Sequence, residues 1–169
     1  ILYGALCSIT LCSILHLTNG KWRFQVRYIA SSMSVLFVLA LVLLLILLAN
    51  PEKTFAWYAH AHDTSHPLSG WHNYNFLVVR ELVGFFLVAG LFLVFVKYQH
   101  LASNGGELIK RRFRNIALLI PFAYVLYGTM VAWDFEMTMV AGWHSASHGA
   151  YHFVSNFHAF LGFFVILLF

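Results

Sequence analysis

The run Val35–Ala49, VLFVLALVLLLILLA, carries no polar side chain. It has neither the alternation of a half-wet strand nor the polar face of a surface helix, so it fits a solvent that is apolar on every side. Extended back to Ile29, it supplies the roughly 20 residues that cross a bilayer as a helix. Four further segments have the same character, at 1–17, 76–98, 115–139 and 150–169. Asn50-Pro51 ends the second segment, because the residue before a proline is pushed out of the α region. Pro121 falls in the first turns of the fourth. The runs are continuous rather than alternating, which excludes a transmembrane β-barrel.

Composition agrees. Charged residues make up 9% of the chain and hydrophobic ones 61%, where a soluble domain carries about 25% charged residues. The expected fold is therefore an all-α integral membrane protein, a polytopic bundle with five helices in one domain over 1–169. Ile1 and Phe169 lie inside apolar runs, which reads as a stretch of a longer polytopic protein. Cys7 and Cys12 are five apart in an apolar helix, a spacing for packing rather than for a disulfide or metal.

The loops set the orientation. Lys21, Arg23 and Arg27 follow the first segment, and Lys97, Lys110, Arg111, Arg112 and Arg114 lie between the third and fourth. Eight of the ten Lys and Arg residues thus fall on one side. The positive-inside rule assigns that side to the cytoplasm, in a multi-pass arrangement. The net charge of +4 accordingly reflects topology and not nucleic-acid binding.

Against this background Val131–Phe160 stands out, with Asp134, Glu136, His144, His148, His152 and His158 in a greasy context. Ionisable groups near hydrocarbon depth cost a few kcal/mol each and default to a functional hypothesis. By the loop charges they sit in the outer half of the membrane, as do Arg80 and Glu81. Asp134 is expected to share a helical face with Tyr127 and Met130, and with Thr138 one turn above. An embedded acid beside a tyrosine can contact a quinone and take a proton, which makes Tyr127 and Asp134 the candidate quinone contacts. The competing reading is a structural ion pair between Asp134 and Arg80. Glu136 is about 200° round a regular helix from Asp134, so it would face a neighbour, a second polar path or the interface.

His144, His148 and His152 recur at i, i+4 and i+8, one helical face if the helix starts by Gly142. That spacing suits a metal site or a proton-relay ladder, and the metal reading needs ligands from other helices, so no metal is assigned. His158 with His16 is a poor match for a transmembrane haem pair, since they lie towards opposite ends. His60, His62, Asp63 and His66 belong to the long outer loop, solvated or packed on a partner. Trp22, Trp57, Tyr58, Trp71, Tyr74, Trp133 and Trp143 cluster at segment ends as an interfacial aromatic belt. Gly84 and Gly90 read as close helix-packing positions.

Three strings, HLTNGKWRFQVRYIA, WHNYNFLVVREL and YGTMVAWDFEMTMVAGWHSASHGAYHFV, together resemble the NrfD/PsrC-like membrane subunits. Among these the resemblance is to the quinone-binding membrane subunit of alternative complex III, a quinol:cytochrome c oxidoreductase. Asn75, Phe76 and Arg80 match the start of a family helix. Asp134, Met137, Trp143, Ser145, Gly149, Tyr151 and Phe153 match its long motif without a gap. The family's Leu-Glu-Pro-His-Trp becomes Met139 to Trp143 here, so its Glu, Pro and His are absent.

The resemblance implies a bundle of about eight to ten helices in a bacterial cytoplasmic membrane, with no covalently bound cofactor. It also implies quinone or quinol as the substrate, and iron–sulfur clusters and haems only in partner subunits. Those partners would be a sister membrane subunit, a periplasmic iron–sulfur protein and a multihaem cytochrome c, besides membrane lipid. The function so expected is quinol oxidation coupled to proton translocation. Asp134, Arg80, Glu136, His144, His148 and His152 would handle protons or contact quinol. A scaffold subunit without a site, and a membrane metalloenzyme or haem-b subunit, are the alternatives.

Overall fold

The computed structural model describes residues 1–58, 70–140 and 143–168, and among them the regular structure is helical throughout. Helix α1 (Leu2–Leu17) is sixteen residues long, about 24 Å at 1.5 Å per residue and shorter than the roughly 30 Å of a hydrocarbon core. It is buried without interruption from Ala5 to Ser13, as befits a helix that is apolar on every face and packed centrally. Helix α2 (Arg23–Ser32), a 3-10 turn at Met33–Val35 and α3 (Leu36–Ala49) follow one another as a single 27-residue span. This span begins six residues before the expected Ile29, so its first turns carry Arg23 and Arg27. Helix α4 (Pro51–Thr54) is one turn with proline in its first position, where the missing N–H leaves nothing unsatisfied.

Helix α5 (Tyr74–Ala102) is started by Asn73, whose side chain accepts from the Phe76 N–H at 3.2 Å. Helix α6 (Glu107–Phe135) continues into a 3-10 turn at Met137–Met139. Helix α7 (His148–Leu168) is the last. Among the described residues four helices are long and apolar enough to cross a membrane. With the shorter α1 they form an all-α bundle of a multi-pass membrane protein. Val38, Leu39, Val42, Leu45 and Ile46 of α3 and Val83, Phe86 and Leu87 of α5 remain exposed on its outside, the surface that lipid tails cover.

Polar groups and small residues fix the helices against one another. Pro121 has no N–H to give to the Ala117 carbonyl one turn earlier. Ser13 of α1 donates to that carbonyl instead, at 2.6 Å, so the break in α6 becomes a bond to the central helix. A methyl group on Gly84 would stand 2.7 Å from Met130 Cε and 3.0 Å from the Tyr127 ring, so α5 and α6 approach closely there, as a packing glycine predicts. Cys7 and Cys12 are free and buried. Gln99 Nε2 of α5 donates to Ser31 Oγ of α2 at 3.0 Å, which brings the two basic connections to one end of the bundle. The acids and histidines of interest lie at the other.

Candidate functional site

At the end opposite the basic connections, α5 begins, α6 ends and α7 starts. Arg80 lies less than two turns into α5 and reaches across to Asp134 in the last turn of α6. Its Nε donates to Asp134 Oδ2 at 2.6 Å and its Nη2 to Oδ1 in a two-pronged ion pair. The side chains are 8% and 0% exposed. Trp71, just before α5, donates its Nε1 to the same Oδ1 at 2.7 Å. Arg80 in turn donates Nη1 to the Trp71 carbonyl at 3.3 Å, and its guanidinium stacks 4.0 Å from the Trp71 ring centroid. Both oxygens of Asp134 are thus taken up, and the acid is closed in. This is the geometry of the structural ion pair that competed with the quinone reading. Trp71 is part of the site and not only of an aromatic belt.

Tyr127 is buried one helical repeat below Asp134, but its hydroxyl serves another acid. It donates to Glu81 Oε2 at 3.4 Å. Glu81 is fully buried, and its Oε1 has no hydrogen-bond partner. The Asp134 carboxyl is close enough to share a hydrogen bond with Glu81 when either acid carries a proton. Glu81 and Tyr127 form the polar end of a pocket of about 320 Å³ whose other walls include Leu2, Leu43, Leu47, Val131 and Phe135. Apolar walls with a few convergent polar atoms are the usual make-up of a small-molecule site. Just outside the span, His72 is held below the usual imidazole range by burial and by the Arg80 guanidinium, against the pull of Asp134.

Glu136 departs from the expectation of a regular helix. Helix α6 ends at Phe135, and the Thr138 hydroxyl bonds the Asp134 carbonyl at 2.6 Å. That bond satisfies one of the carbonyls a helix end leaves open. The chain turns, and Glu136 points to α7. Its Oε1 lies 2.7 Å from His152 Nε2 and its Oε2 lies 3.4 Å from His148 Nε2. The second contact lacks hydrogen-bond geometry and leaves His148 Nε2 buried without a bonded partner. Because α7 starts at His148, His144 precedes the helix, and the three-histidine ladder reduces to His148 and His152. Their rings are 6.2 Å apart, and both face Glu136.

Hydrogen-bond bookkeeping then locates a proton. Tyr3 Oη of α1 donates to the Gly128 carbonyl at 3.1 Å. A carbonyl can only accept, so the single hydroxyl proton is spent there. Tyr3 must then accept from His152 Nδ1, which is 2.9 Å away. His152 Nε2 faces Glu136 Oε1, and one proton must lie on that 2.7 Å line, on the ring or on the carboxyl. His152 is buried while the Glu136 side chain is 49% exposed. The link therefore runs from the surface of the bundle to its central helix.

Among the described residues no three His, Cys, Asp or Glu groups converge in a metal-holding arrangement. His16 stacks on Phe113 at the basic end, 4.2 Å between ring centroids, and His158 is exposed on α7. His60, His62, Asp63 and His66, with Gly142, lie outside the described residues.

Sequence reasoning gave least weight to three residues that matter here. Glu81 follows Arg80 directly in the sequence, and an acid within a span is itself a signal. Trp71 looks like any interfacial tryptophan. Tyr3 meets His152 across 149 positions, which no local pattern announces. No protein-family model, curated protein or solved structure matches this chain.

Proposed function

We propose that this chain is a membrane subunit of a quinol-oxidising electron-transfer complex of the alternative complex III kind, moving protons near the periplasmic face of a bacterial cytoplasmic membrane. The observation that carries the reading is the buried Glu81–Tyr127 pair among the lining of an otherwise apolar pocket. Apolar walls with a few convergent polar groups suit a small ligand that carries a hydroxyl. Bound there, a quinol would supply two electrons and two protons, the electrons leaving to an iron–sulfur subunit and onward to a multihaem cytochrome c.

Glu81 is the residue to accept the proton of one hydroxyl. Tyr127, bonded to its other oxygen, orients it. The Arg80–Asp134 pair places a fixed dipole behind it and holds α5 against α6. Tyr3 bonds the carbonyl of Gly128, the residue after Tyr127. Tyr3, His152 and Glu136 form a separate bonded chain beside this region that ends at the half-exposed surface. The exit route is the Glu136–His152 proton, with His148 beside it. This distribution moves the proton-accepting role from Asp134 to Glu81 and leaves Asp134 as the positioning acid.

The test is quinol turnover and proton release by the intact complex carrying Glu81→Gln. Glutamine keeps the shape and the Tyr127 contact but cannot accept the proton. Turnover should fall at least about a hundredfold, within the span that a positioned acid–base group contributes. An assembled Glu81→Gln variant with full turnover and proton release would sink the proposal. One observation favours a second reading, a scaffold without its own site: Asp134 is buried, with both of its oxygens bonded inside the bundle. The scaffold reading predicts that Glu81→Gln is silent and that only Asp134 and Arg80 variants lower the amount of complex.

A further inference from the structure

The basic end of the bundle holds a second pocket, at the opposite end from Glu81 and Asp134. It measures about 310 Å³ and is lined by Arg23 and Arg27 from α2, His16 from α1, Gln99 from α5 and Lys110 from α6, with Phe24 and Phe113 as apolar wall. A neighbouring pocket of about 510 Å³ shares His16 and Lys110 and adds Arg111 and Arg114. Topology accounts for basic residues on the cytoplasmic side, but it does not require them to converge. Cations from two connections that are about eighty residues apart in sequence line one concavity here, and like charges gather at a cost unless an anion joins them.

Arg23 and Arg27 lie over the rings of Phe24 and Tyr28, but among the described residues no acid neutralises them. Lys110 pairs with Glu107 at 3.0 Å, an exposed contact worth little. Among the described residues neither Arg23 nor Arg27 has a carboxylate partner. Arg23 Nη1 donates to Asn19 Oδ1 at 2.9 Å and Arg27 Nη2 to Tyr28 Oη at 2.7 Å. Arg27 Nε is buried with no hydrogen bond. An arginine with a free Nε is half of the planar fork that takes two oxygens of a phosphate. Arg23 and Arg27 are one turn apart at the start of α2, where the helix dipole adds further positive potential.

We infer that this pocket binds a phosphate group at the cytoplasmic surface, with Arg27 and Arg23 as the fork and Lys110 as the third cation. The membrane presents that chemistry as the headgroup of an anionic phospholipid. Basic pockets between spans on this side suit such headgroups, and Phe24 and Phe113 flank the place where the glycerol and first acyl carbons would run. Free phosphate offers the same oxygens without the apolar part.

The experiment uses the full chain solubilised from membranes in mild detergent. Native mass spectrometry counts retained phosphatidylglycerol against phosphatidylcholine, with and without millimolar inorganic phosphate. Arg27→Gln should weaken anionic-lipid retention by about tenfold, the loss of one charge-assisted contact. Lys110→Gln, at an exposed position where folding is not at stake, should weaken it in the same direction. Arg112→Gln, exposed and lining neither pocket, should leave it unchanged. If inorganic phosphate displaces the lipid in the wild type but not in Arg27→Gln, the phosphate fork is supported. Phosphate protection of the chain against heating, without lipid retention, supports the same fork with free phosphate as its source. Equal losses in all three variants would mean a diffuse surface field and overturn the site, as would indifference to both lipid charge and phosphate.

Discussion

Asparagine at position 134 replaces one carboxylate oxygen by an NH2 group and cancels the charge that faces Arg80. In the native bundle that carboxylate accepts two bonds from Arg80 and one from Trp71, with side chains 8% and 0% exposed. Asparagine offers one oxygen for these three donors, and its amide hydrogens meet at least one of them head-on. The guanidinium stays charged, buried and short of a counter-charge. Breaking a buried pair from one side costs about 3–5 kcal/mol, mostly for the charge left behind. Removing both charges should therefore hurt less than removing one. Asp134→Asn alone is expected to lose about 4 kcal/mol and Arg80→Gln a similar amount. The double variant should lose about 2 kcal/mol, because two neutral amides can bond each other and Trp71.

The assay is reversible unfolding in mixed bicelle–detergent titrations, followed by helical circular dichroism, for wild type, both singles and the double. The coupling so obtained should be several kcal/mol in favour of the double. A double variant whose loss equals the sum of the singles to within about 0.5 kcal/mol would show the pair to be uncoupled. That outcome would refute the ion-pair reasoning outright.

Two further outcomes follow from the same bonds. Ser13→Ala strips the Ala117 carbonyl of its donor and should cost about 1–2 kcal/mol. Adding Pro121→Ala, which restores the N–H that this carbonyl lacks, should return most of the loss in the same unfolding assay, and no rescue would mean that the proline gap is not what Ser13 fills. Tyr3→Phe leaves His152 Nδ1 without its partner and takes the second donor from the Gly128 carbonyl, which keeps its bond within α6, with an expected loss of about 1–3 kcal/mol. It should also change the His152 ring resonances in nitrogen-15 spectra, because the Nδ1 proton loses its acceptor, and an unchanged spectrum would contradict the bookkeeping that places a proton on the Glu136–His152 line.

Much of the membrane architecture was legible in one dimension. An unbroken apolar run states its own solvent, and its length states whether it can span. Loop charges placed the two basic connections together, and the Gln99–Ser31 bond finds them at one end. Gly84 announced a close approach, and Met130 and Tyr127 fill it, whereas Gly90, read the same way, is exposed with nothing packed against it among the described residues. The sequence also marked Asp134, Arg80, Glu136, His148 and His152 as worth attention, because ionisable groups in such a chain have few innocent places to be.

Pairing was decided by the tertiary structure. Helices as evenly apolar as α3 and α5 have no polar face to fix their rotation about their own axes, so periodicity could not say whether Tyr127 turns to Asp134 or to Glu81. Rotation is settled by a handful of bonds between distant positions, such as Ser13 to Ala117 and Tyr3 to His152. Helix ends are equally non-local. No glycine or proline stops α6 at Phe135, yet the turn there sends Glu136 to α7 instead of a further face of α6, and the late start of α7 drops His144 from the ladder. Sequence by itself thus determined the solvent, four of the five expected spans and the list of expensive residues. The three-dimensional packing alone decided their partners, because a buried charge or carbonyl takes whichever group the neighbouring helices bring within 3 Å.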